Sequence, residues 1–473
     1  MFSIVVVSIV FLLTLFWFFF RRDVKVRRTI TIPGVSPSDS ELGNLGDIGR
    51  AGSLHQYLTE LHKKYGPIVS FYWNKDRVVS IASPEAFHET RRLFDRPVPL
   101  FAPFEPLIGS KSIQYANGDE GRYRRKNHYD IPLSPTILRG HFFQIFQNVL
   151  RDKLNFWKEN NENRINLHAE MLTLAIRSIT LAAFGSKATY GEEDLIEQAY
   201  NTCWHEMEMR IQGESSTLKR ENDFQNARNY FLAKVKEIIT ERRQHTGENE
   251  KCFVDYLLAD DEYIRSDEHI CDETITMFVG GFHTTGNLLT WIFYYLAKNP
   301  MIQDKLYEEL IRTYQTEFPS FEQIDEMSYL SNIINESLRL SVLAPWAARV
   351  SFDENIELCG YTIPAGTSII QALGVVLQDE TIWTNPNEFN PDRFNQDNKK
   401  NRSSLAFSPF GFSGKRICPG YRFAQYEASL FVAGIIRTFQ VTLTDPNTPV
   451  VPIHGLVTAP KDEIHVTFTR RTN

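Results

Sequence analysis

This sequence predicts a mostly helical body with small β-sheets, preceded by a membrane-spanning helix. Three observations carry that fold class. Residues 1–20 are an uncharged apolar run, residues from about 84 to 345 show mainly helical periodicity, and short strand-like runs cluster near 68–82 and 356–372.

Residues 1–20 contain no charge and only the hydroxyls of Ser3, Ser8 and Thr14 among apolar and aromatic side chains. As a helix such a run is about 30 Å long, which matches the hydrocarbon core of a bilayer. Arg21, Arg22, Lys25, Arg27 and Arg28 follow at once, and that charge bias places the downstream chain in the cytosol. A cleaved signal peptide would carry its charge first and end in small residues, whereas this run ends in Phe18-Phe19-Phe20. Residues 21–40, with Pro33-Gly34 and Pro37, read as a basic, stiff linker, and residues 41–473 as the body.

Along the body, Leu54–Tyr65 is amphipathic and stops at Gly66-Pro67. Ile68–Trp73 and Arg77–Ala82 read as a hairpin. Turns are expected at the Pro-rich 97–106 and the Gly-rich 109–121 stretches, and a long helix at Ile270–Lys298. Ile356–Leu358, Tyr361–Ile363 and Thr367–Ala372 read as short strands, and a last one runs from Glu463 to Thr469. The body shows no internal repeat and no low-complexity tract.

The 473 residues are 42% hydrophobic and 23% charged, enough apolar surface for a large core. Net charge is −7, and beyond residue 40 the chain carries 46 basic against 56 acidic residues, a net of −10. A body that acidic is a poor nucleic-acid binder. The five cysteines (Cys203, Cys252, Cys271, Cys359, Cys418) are odd in number, scattered and without a C-x-x-C pair. They form neither a disulfide framework nor a tetrahedral zinc set, so a reducing compartment is expected.

Three segments carry chemistry. In Phe410-Gly-Phe-Ser-Gly-Lys-Arg-Ile-Cys-Pro-Gly420, Cys418 lies in a Gly-rich loop ahead of a helical pattern from Gly420 to about Phe439. The positive end of that helix, with Lys415 and Arg416 nearby, favours thiolate over thiol. A buried structural cysteine is the alternative. In Ile270–Lys298 the helical pattern is interrupted by Gly280-Gly281-Phe282-His283-Thr284-Thr285-Gly286. Interior glycines cost about 1 kcal/mol each relative to alanine, so they mark a kink, a close helix crossing or a ligand. Glu336 and Arg339, three residues apart, share a helix face, either as a solvated ion pair or as something built in.

In this order and at these separations the three segments resemble the cytochrome P450 family. Glu336-x-x-Arg339 is similar to its helix motif, and Asn390-Pro391-Asp392-Arg393-Phe394 to its Pro-Glu-Arg-Phe segment, with Asp for Glu. Phe410–Gly420 resembles the haem loop, and Thr284 the threonine of the oxygen groove. The resemblance covers essentially everything after residue 30, and Pro33–Phe71 with Ala372–Phe394 look most like an animal branch called family twenty.

The resemblance implies a cytochrome P450 fold and haem b, with Cys418 as axial thiolate, a ligand that favours O–O cleavage. It implies a buried triad of Glu336, Arg339 and Arg393. It also implies propionate partners Arg416 and Arg349, with Tyr123 and one of Arg124, Arg125 or Lys126 in place of the family's Trp-x-x-x-Arg. The loop is one residue longer than usual, with Gly411 where phenylalanine is expected and Phe410 and Phe412 on either side; a slip of the loop would keep aromatic cover on the sulfur. His283 stands where most members carry a proton-relaying acid before Thr284. It either shuttles protons itself or turns away. By matching regions, Phe101, Phe104, Phe282, Trp346 and Ala347 are substrate-pocket candidates, implying an apolar cavity. Lys399, Lys400 and Arg402, with Lys415, Arg416 and Arg422, would form a basic face for an acidic partner.

The implied activity is insertion of one oxygen atom from O2 into a lipophilic small molecule. Electrons would come from NADPH through NADPH-cytochrome P450 reductase, with cytochrome b5 as a second candidate donor. The implied location is the endoplasmic reticulum membrane, single-pass, with the catalytic body cytosolic. Two other readings are a haem-thiolate isomerase or dehydratase that needs no O2, and a non-catalytic haem protein that binds a lipophilic ligand.

Overall fold

The computed structural model describes residues 31–160, 164–185, 193–211, 214–244, 251–259, 266–400 and 402–471. The expected membrane helix over 1–20 and the linker as far as residue 30 lie outside these. Among the described residues, nine helices of twelve residues or more form the body. They are α1 (Leu54–Tyr65), α2 (Phe143–Asn160), α3 (Leu167–Phe184), α4 (Glu193–Ile211), α5 (Leu218–Gln244), α6 (Asp267–Lys298), α7 (Pro300–Thr313), α8 (Ser328–Ser341) and α9 (Tyr421–Thr438).

Four small sheets flank the helices. β1 (Ile68–Trp73) and β2 (Asp76–Ile81) form the expected hairpin, turning at Asn74, whose φ of 53° asparagine tolerates. β3 (Ile165–Asn166), β4 (Ala347–Arg349), β5 (Ile356–Leu358), β6 (Tyr361–Ile363), β7 (Ile369–Gln371), β8 (Phe439–Leu443), β9 (Pro452–His454), β10 (Thr458–Pro460) and β11 (His465–Arg470) complete the set. The largest sheet runs β1-β2-β7-β4, with β7 parallel to β2. The second runs β3-β11-β8, and β5-β6 and β9-β10 are hairpins.

Pro33–Val35 already belongs to the body. The Ser70 amide donates to the Pro33 carbonyl at 2.8 Å, and the Val35 amide to the Ser70 carbonyl at 3.0 Å. The Pro-rich stretch is not a plain turn: Val98–Phe101 and Glu105–Ile108 are short helices. Gly118–Arg124 is helical and widens into a π-helical turn at Arg125–Asp130.

Helix α6 is the centre of the molecule. It begins at Asp267, earlier than its periodicity predicts, because the Ser266 hydroxyl caps the His269 amide. It crosses α3 closely. A Cβ at Gly281 would stand 2.5 Å from Ile179 Cδ1, and one at Gly286 would stand 2.7 Å from Leu172 Cδ2. These two glycines therefore serve the crossing. α3 is long and apolar enough to pass for a membrane span, yet 61% of it is buried inside this fold. It is a core helix.

Candidate active site

Cys418 sits in the loop leading into α9, where Gly420 is the residue before the first turn and Pro419 precedes it, so the helix begins slightly later than its pattern predicts. The Cys418 amide donates to the Phe410 carbonyl at 2.8 Å. Burial pushes the thiol pKa up, while the Gly420 amide and the charges of Arg125 and Arg96 pull it back down. Gly411 absorbs the extra loop residue by adopting φ 78°. Phe410 therefore stays beside the cysteine, and Phe412 stacks instead on buried Phe87 at 4.5 Å.

Four arginines gather around this loop. Arg125 donates to the Ile417 carbonyl and pairs with Asp130 at 2.8 Å. Arg416 donates to the carbonyls of Phe94 (3.1 Å), Ile113 (3.2 Å) and Ala116. Arg349 donates to the carbonyls of Ala348 (2.6 Å) and Arg416 (3.3 Å). Arg96 reaches the Gln114 side chain. Desolvation first and mutual repulsion second push these guanidinium pKa values down, to about 10 for Arg96, 9 for Arg349 and 8 for Arg416. The Nε atoms of Arg96 and Arg349 are buried without a hydrogen-bond partner. Concentrated, under-satisfied positive charge beside a cysteine sulfur fits a dianionic group with a soft-ligated metal, which is what a haem with its two propionates presents.

The structure selects among the candidates near residue 123. Arg125 joins the cluster, whereas Arg124 pairs with buried Glu273 and with Glu120, and Lys126 is exposed. Tyr123 packs edge-on to His128 at 6.2 Å, on the Glu273 side of this helix. Arg96 is the residue the sequence reading missed. Nothing in Asp95-Arg96-Pro97 marks it, and only the fold brings it to the loop.

On α6, Gly280 is exposed and Thr284 half-buried although both lie mid-way along the central helix. A Cβ at Gly280 would meet nothing within 4 Å. Their accessible surface therefore faces an internal space. The Thr284 hydroxyl donates to the Gly280 carbonyl at 2.6 Å.

His283 turns away from that face. Its ring stacks on Trp204 at 4.5 Å and lies near Tyr200 at 5.5 Å. Nε2 is buried and unpartnered, and desolvation pushes the imidazole pKa down to about 3. It is neutral at any ordinary pH, so the shuttling role finds no support in this arrangement. A different acid lies beside the next residue, Thr285. Glu427 of α9 is 1% exposed, its pKa is pushed up to about 8 by burial, and it faces Ser178 and Thr285.

The triad assembles as the resemblance implies. Arg339 grips Glu336 with two bonds of 2.7 and 2.8 Å, and Arg393 Nε donates to the same carboxylate at 3.2 Å. Glu336 and Arg339 are fully buried, which excludes the solvated surface pair. Among the pocket candidates, Phe101 stacks on Trp346 at 5.7 Å and lies 6.1 Å from Phe104, and Ala347 opens β4 beside them. Phe282 does not belong with them. It is 0% exposed and locked between Tyr200 and Phe278, so it lines no cavity. The expected basic run is also partly absorbed, because Arg402 stacks on Trp383 at 4.0 Å. Exposed Arg91, Arg92, Arg122 and Lys415 instead line a cleft of about 400 Å³ beside the loop.

Comparison with known proteins agrees with this geometry. The family model described as Cytochrome P450 matches residues 33–468. The chain is 29% identical to Cytochrome P450 20A1 of Bos taurus and 27% identical to that of Homo sapiens, each over 94% of this chain and 94% of the relative. It is also 27% identical to Cytochrome P450 4c21 of Blattella germanica, over 96% of this chain and 98% of the relative. The first two bear out the likeness to family twenty. The chain belongs to the cytochrome P450 family of haem-thiolate monooxygenases.

Proposed function

We propose that this protein is a membrane-anchored monooxygenase that inserts one oxygen atom of O2 into a lipophilic small molecule, with electrons from NADPH through NADPH-cytochrome P450 reductase. The observation that carries it is the placement of Cys418 among Arg96, Arg125, Arg349 and Arg416. Of these only Arg125 has a carboxylate partner among the described residues. Cys418 would be the axial ligand and the arginines would hold the propionates. When bound there, the haem supplies the reduction and cleavage of dioxygen.

The chain's own residues do the rest. The Gly420 amide and the positive field of Arg125 and Arg96 stabilise a thiolate on Cys418. The Thr284 hydroxyl, on the open face of α6, gives its own hydrogen to the Gly280 carbonyl and presents its oxygen there as a hydrogen-bond acceptor. That placement supports a reaction that consumes O2 over the isomerase and ligand-binding readings. Phe101, Phe104 and Trp346 exclude water and give an apolar lipophilic substrate its contact surface. Arg91, Arg92, Arg122 and Lys415 present positive charge on the cysteine side of an acidic molecule, which suits docking of an acidic flavoprotein or cytochrome b5. The uncharged run over 1–20 and the arginines after it support single-pass anchoring in the endoplasmic reticulum membrane, ahead of a cytosolic body that begins by Pro33.

The test is the ferrous–carbon monoxide difference spectrum, recorded with NADPH plus reductase and again with a chemical reductant. The family's thiolate band under both conditions is the expected result. A band with the chemical reductant alone would remove the reductase. A shorter-wavelength band in folded protein would remove Cys418 as thiolate ligand.

A further inference from the structure

Between α5, the start of α6 and the short helices after residue 98 lies a cleft of about 630 Å³, a volume that suits a small molecule. One wall is α5, which presents Arg228, Leu232 and Lys236 at four-residue spacing, one above the other. The facing wall is α6 with Glu268 and Asp272, again four apart, joined by Glu105 from the segment before Gly109. Ala102 and Pro106 add an apolar edge.

The two walls carry opposite charge and do not close on each other. Among the described residues no ion pair joins Arg228 or Lys236 to Glu105, Glu268 or Asp272. The same two helices do close near the end of α5, where Arg243 pairs with Asp267 of α6. Arg228 turns instead to the Pro106 carbonyl. Exposed Glu105, Glu268 and Lys236 alone would be a solvated rim. Asp272 is different. It is 6% exposed, its Oδ2 accepts the Lys111 amide at 2.9 Å, and its Oδ1 accepts from no described group although the side chain lines the cleft. A buried carboxylate with a free acceptor and no counter-charge is costly, and it suits a ligand that brings a donor. Burial is the main cause that pushes its pKa up, to about 6, so it is still mostly ionised above pH 7. Among the described residues no acidic, cysteine or histidine side chains converge as a metal site, so the occupant is larger than a single ion.

We propose that this cleft binds a small zwitterion, its ammonium group against Asp272 and Glu268 and its oxyanion against Lys236 and Arg228. Only a ligand with both charges satisfies both walls. A plain cation leaves the α5 wall without a partner, and a plain anion meets three carboxylates. Arg228 keeps donors for the oxyanion, because a guanidinium carries five and Pro106 does not exhaust them. The segment over 98–108 puts Ala102, Glu105 and Pro106 on the cleft and Phe101 and Phe104 on the aromatic cluster with Trp346. The two sites therefore share a wall without sharing lining residues, and binding in the cleft is separable from turnover. A free solute and a bilayer head group can both present this pair of charges.

The experiment uses the haem-loaded full chain in phosphatidylglycerol nanodiscs, with empty discs subtracted, and isothermal titration above pH 7. Three soluble probes are compared: glycerophosphocholine, which carries both charges, choline, and glycerol phosphate. The zwitterion is expected to bind roughly tenfold or more tightly than either half. Lys236→Gln changes an exposed side chain, and Asp272→Asn keeps an oxygen for the Lys111 amide. Each should weaken zwitterion binding about tenfold and leave the carbon monoxide band in place. If Asp272→Asn fails to fold, Glu268→Gln, on another exposed side chain, carries the same test beside Lys236→Gln. Choline or glycerol phosphate binding as tightly as the zwitterion overturns the proposal. So does a lack of binding by all three probes, or a zwitterion affinity that either folded variant leaves unchanged. Repeating the titration in phosphatidylcholine discs assigns the source. Binding lost there names bilayer head groups as the occupant, and binding retained names a free solute.

Discussion

The Cys418 amide and the Phe410 carbonyl are joined at 2.8 Å across a loop one residue longer than the family's usual spacing. That bond keeps the aromatic residue and the sulfur together, and the slack is taken up at Gly411 with φ 78°. A Cβ there meets nothing within 4 Å, so the only obstacle to a larger residue is the backbone. Gly411→Ala should therefore cost about 1 kcal/mol of stability, the usual cost of left-handed geometry for a side-chain-bearing residue. Urea unfolding measures it, and the carbon monoxide spectrum should keep its band position. A larger loss, or a shifted band, would mean that this residue does more than supply conformation.

Glu336 is the single carboxylate between two buried or nearly buried arginines, and it also accepts from the Asn390 amide at 3.0 Å. Removing it leaves Arg339 and Arg393 facing each other without water. Glu336→Gln should destabilise the protein by about 3–5 kcal/mol. Arg393→Lys should cost clearly less, because the side chain is 10% exposed and its charge is retained. Denaturant midpoints of both variants check the order. Equal losses would place the network's energy in its shape rather than in its charge balance.

The Glu336–Arg339 pair, the cysteine loop and the glycine-interrupted helix were legible because each is written in a short stretch of chain, whereas the place of Arg393 beside them came from the family resemblance. Glu336 and Arg339 meet through helix spacing alone, α1 ends at Gly66-Pro67, and Ile68–Trp73 pairs with the following strand as the hairpin its pattern implies. What could not be read depends on contacts between distant segments. Arg96 joins the arginine cluster only because Val98–Phe101 and the loop after it fold back toward residue 416. β4 is three residues long and exists through its pairing with β7. Phe282 looked like a pocket residue by region, yet its direction on α6 is set by Tyr200, one element away. Glu427 carries no local mark at all, and its burial follows from where α3, α6 and α9 meet.

Buried titratable groups should confine stability to a window between acid and alkali. His55 and His62 are pushed down to about 4, and His283 and His454 to about 3, each chiefly by desolvation. An unfolded imidazole takes its proton near 6.5, so the stability they contribute is present above that pH and is lost as pH falls toward 3–4. Each adds a slope of about 1.4 kcal/mol per pH unit in that range. Glu427 acts with the opposite sense. With its folded pKa raised to about 8, its contribution is complete below the unfolded value near 4.5 and is lost as pH rises through 8. Thermal unfolding between pH 4 and 9 should show both limbs. His454→Gln should flatten the acid limb by one proton's slope, and Glu427→Gln should flatten the alkaline one.

The glycines of α6 make the sharpest test of how the helix is oriented, because adjacent residues should respond with opposite sign. Gly280 faces open space, and alanine there gains helix propensity without a clash, so Gly280→Ala should stabilise by up to about 1 kcal/mol. Gly281 faces Ile179, a side chain 1% exposed with little room to move, and the same change should cost roughly 1–3 kcal/mol. Gly280→Ala also places a methyl group on the open face beside Thr284 and should weaken binding of any ligand that reaches that face. Urea unfolding gives both signs, and titration of the haem-loaded protein with a lipophilic probe gives the second effect. If Gly280 and Gly281 respond alike, the internal space does not lie on the Thr284 face, and the role drawn from it for Thr284 falls with it.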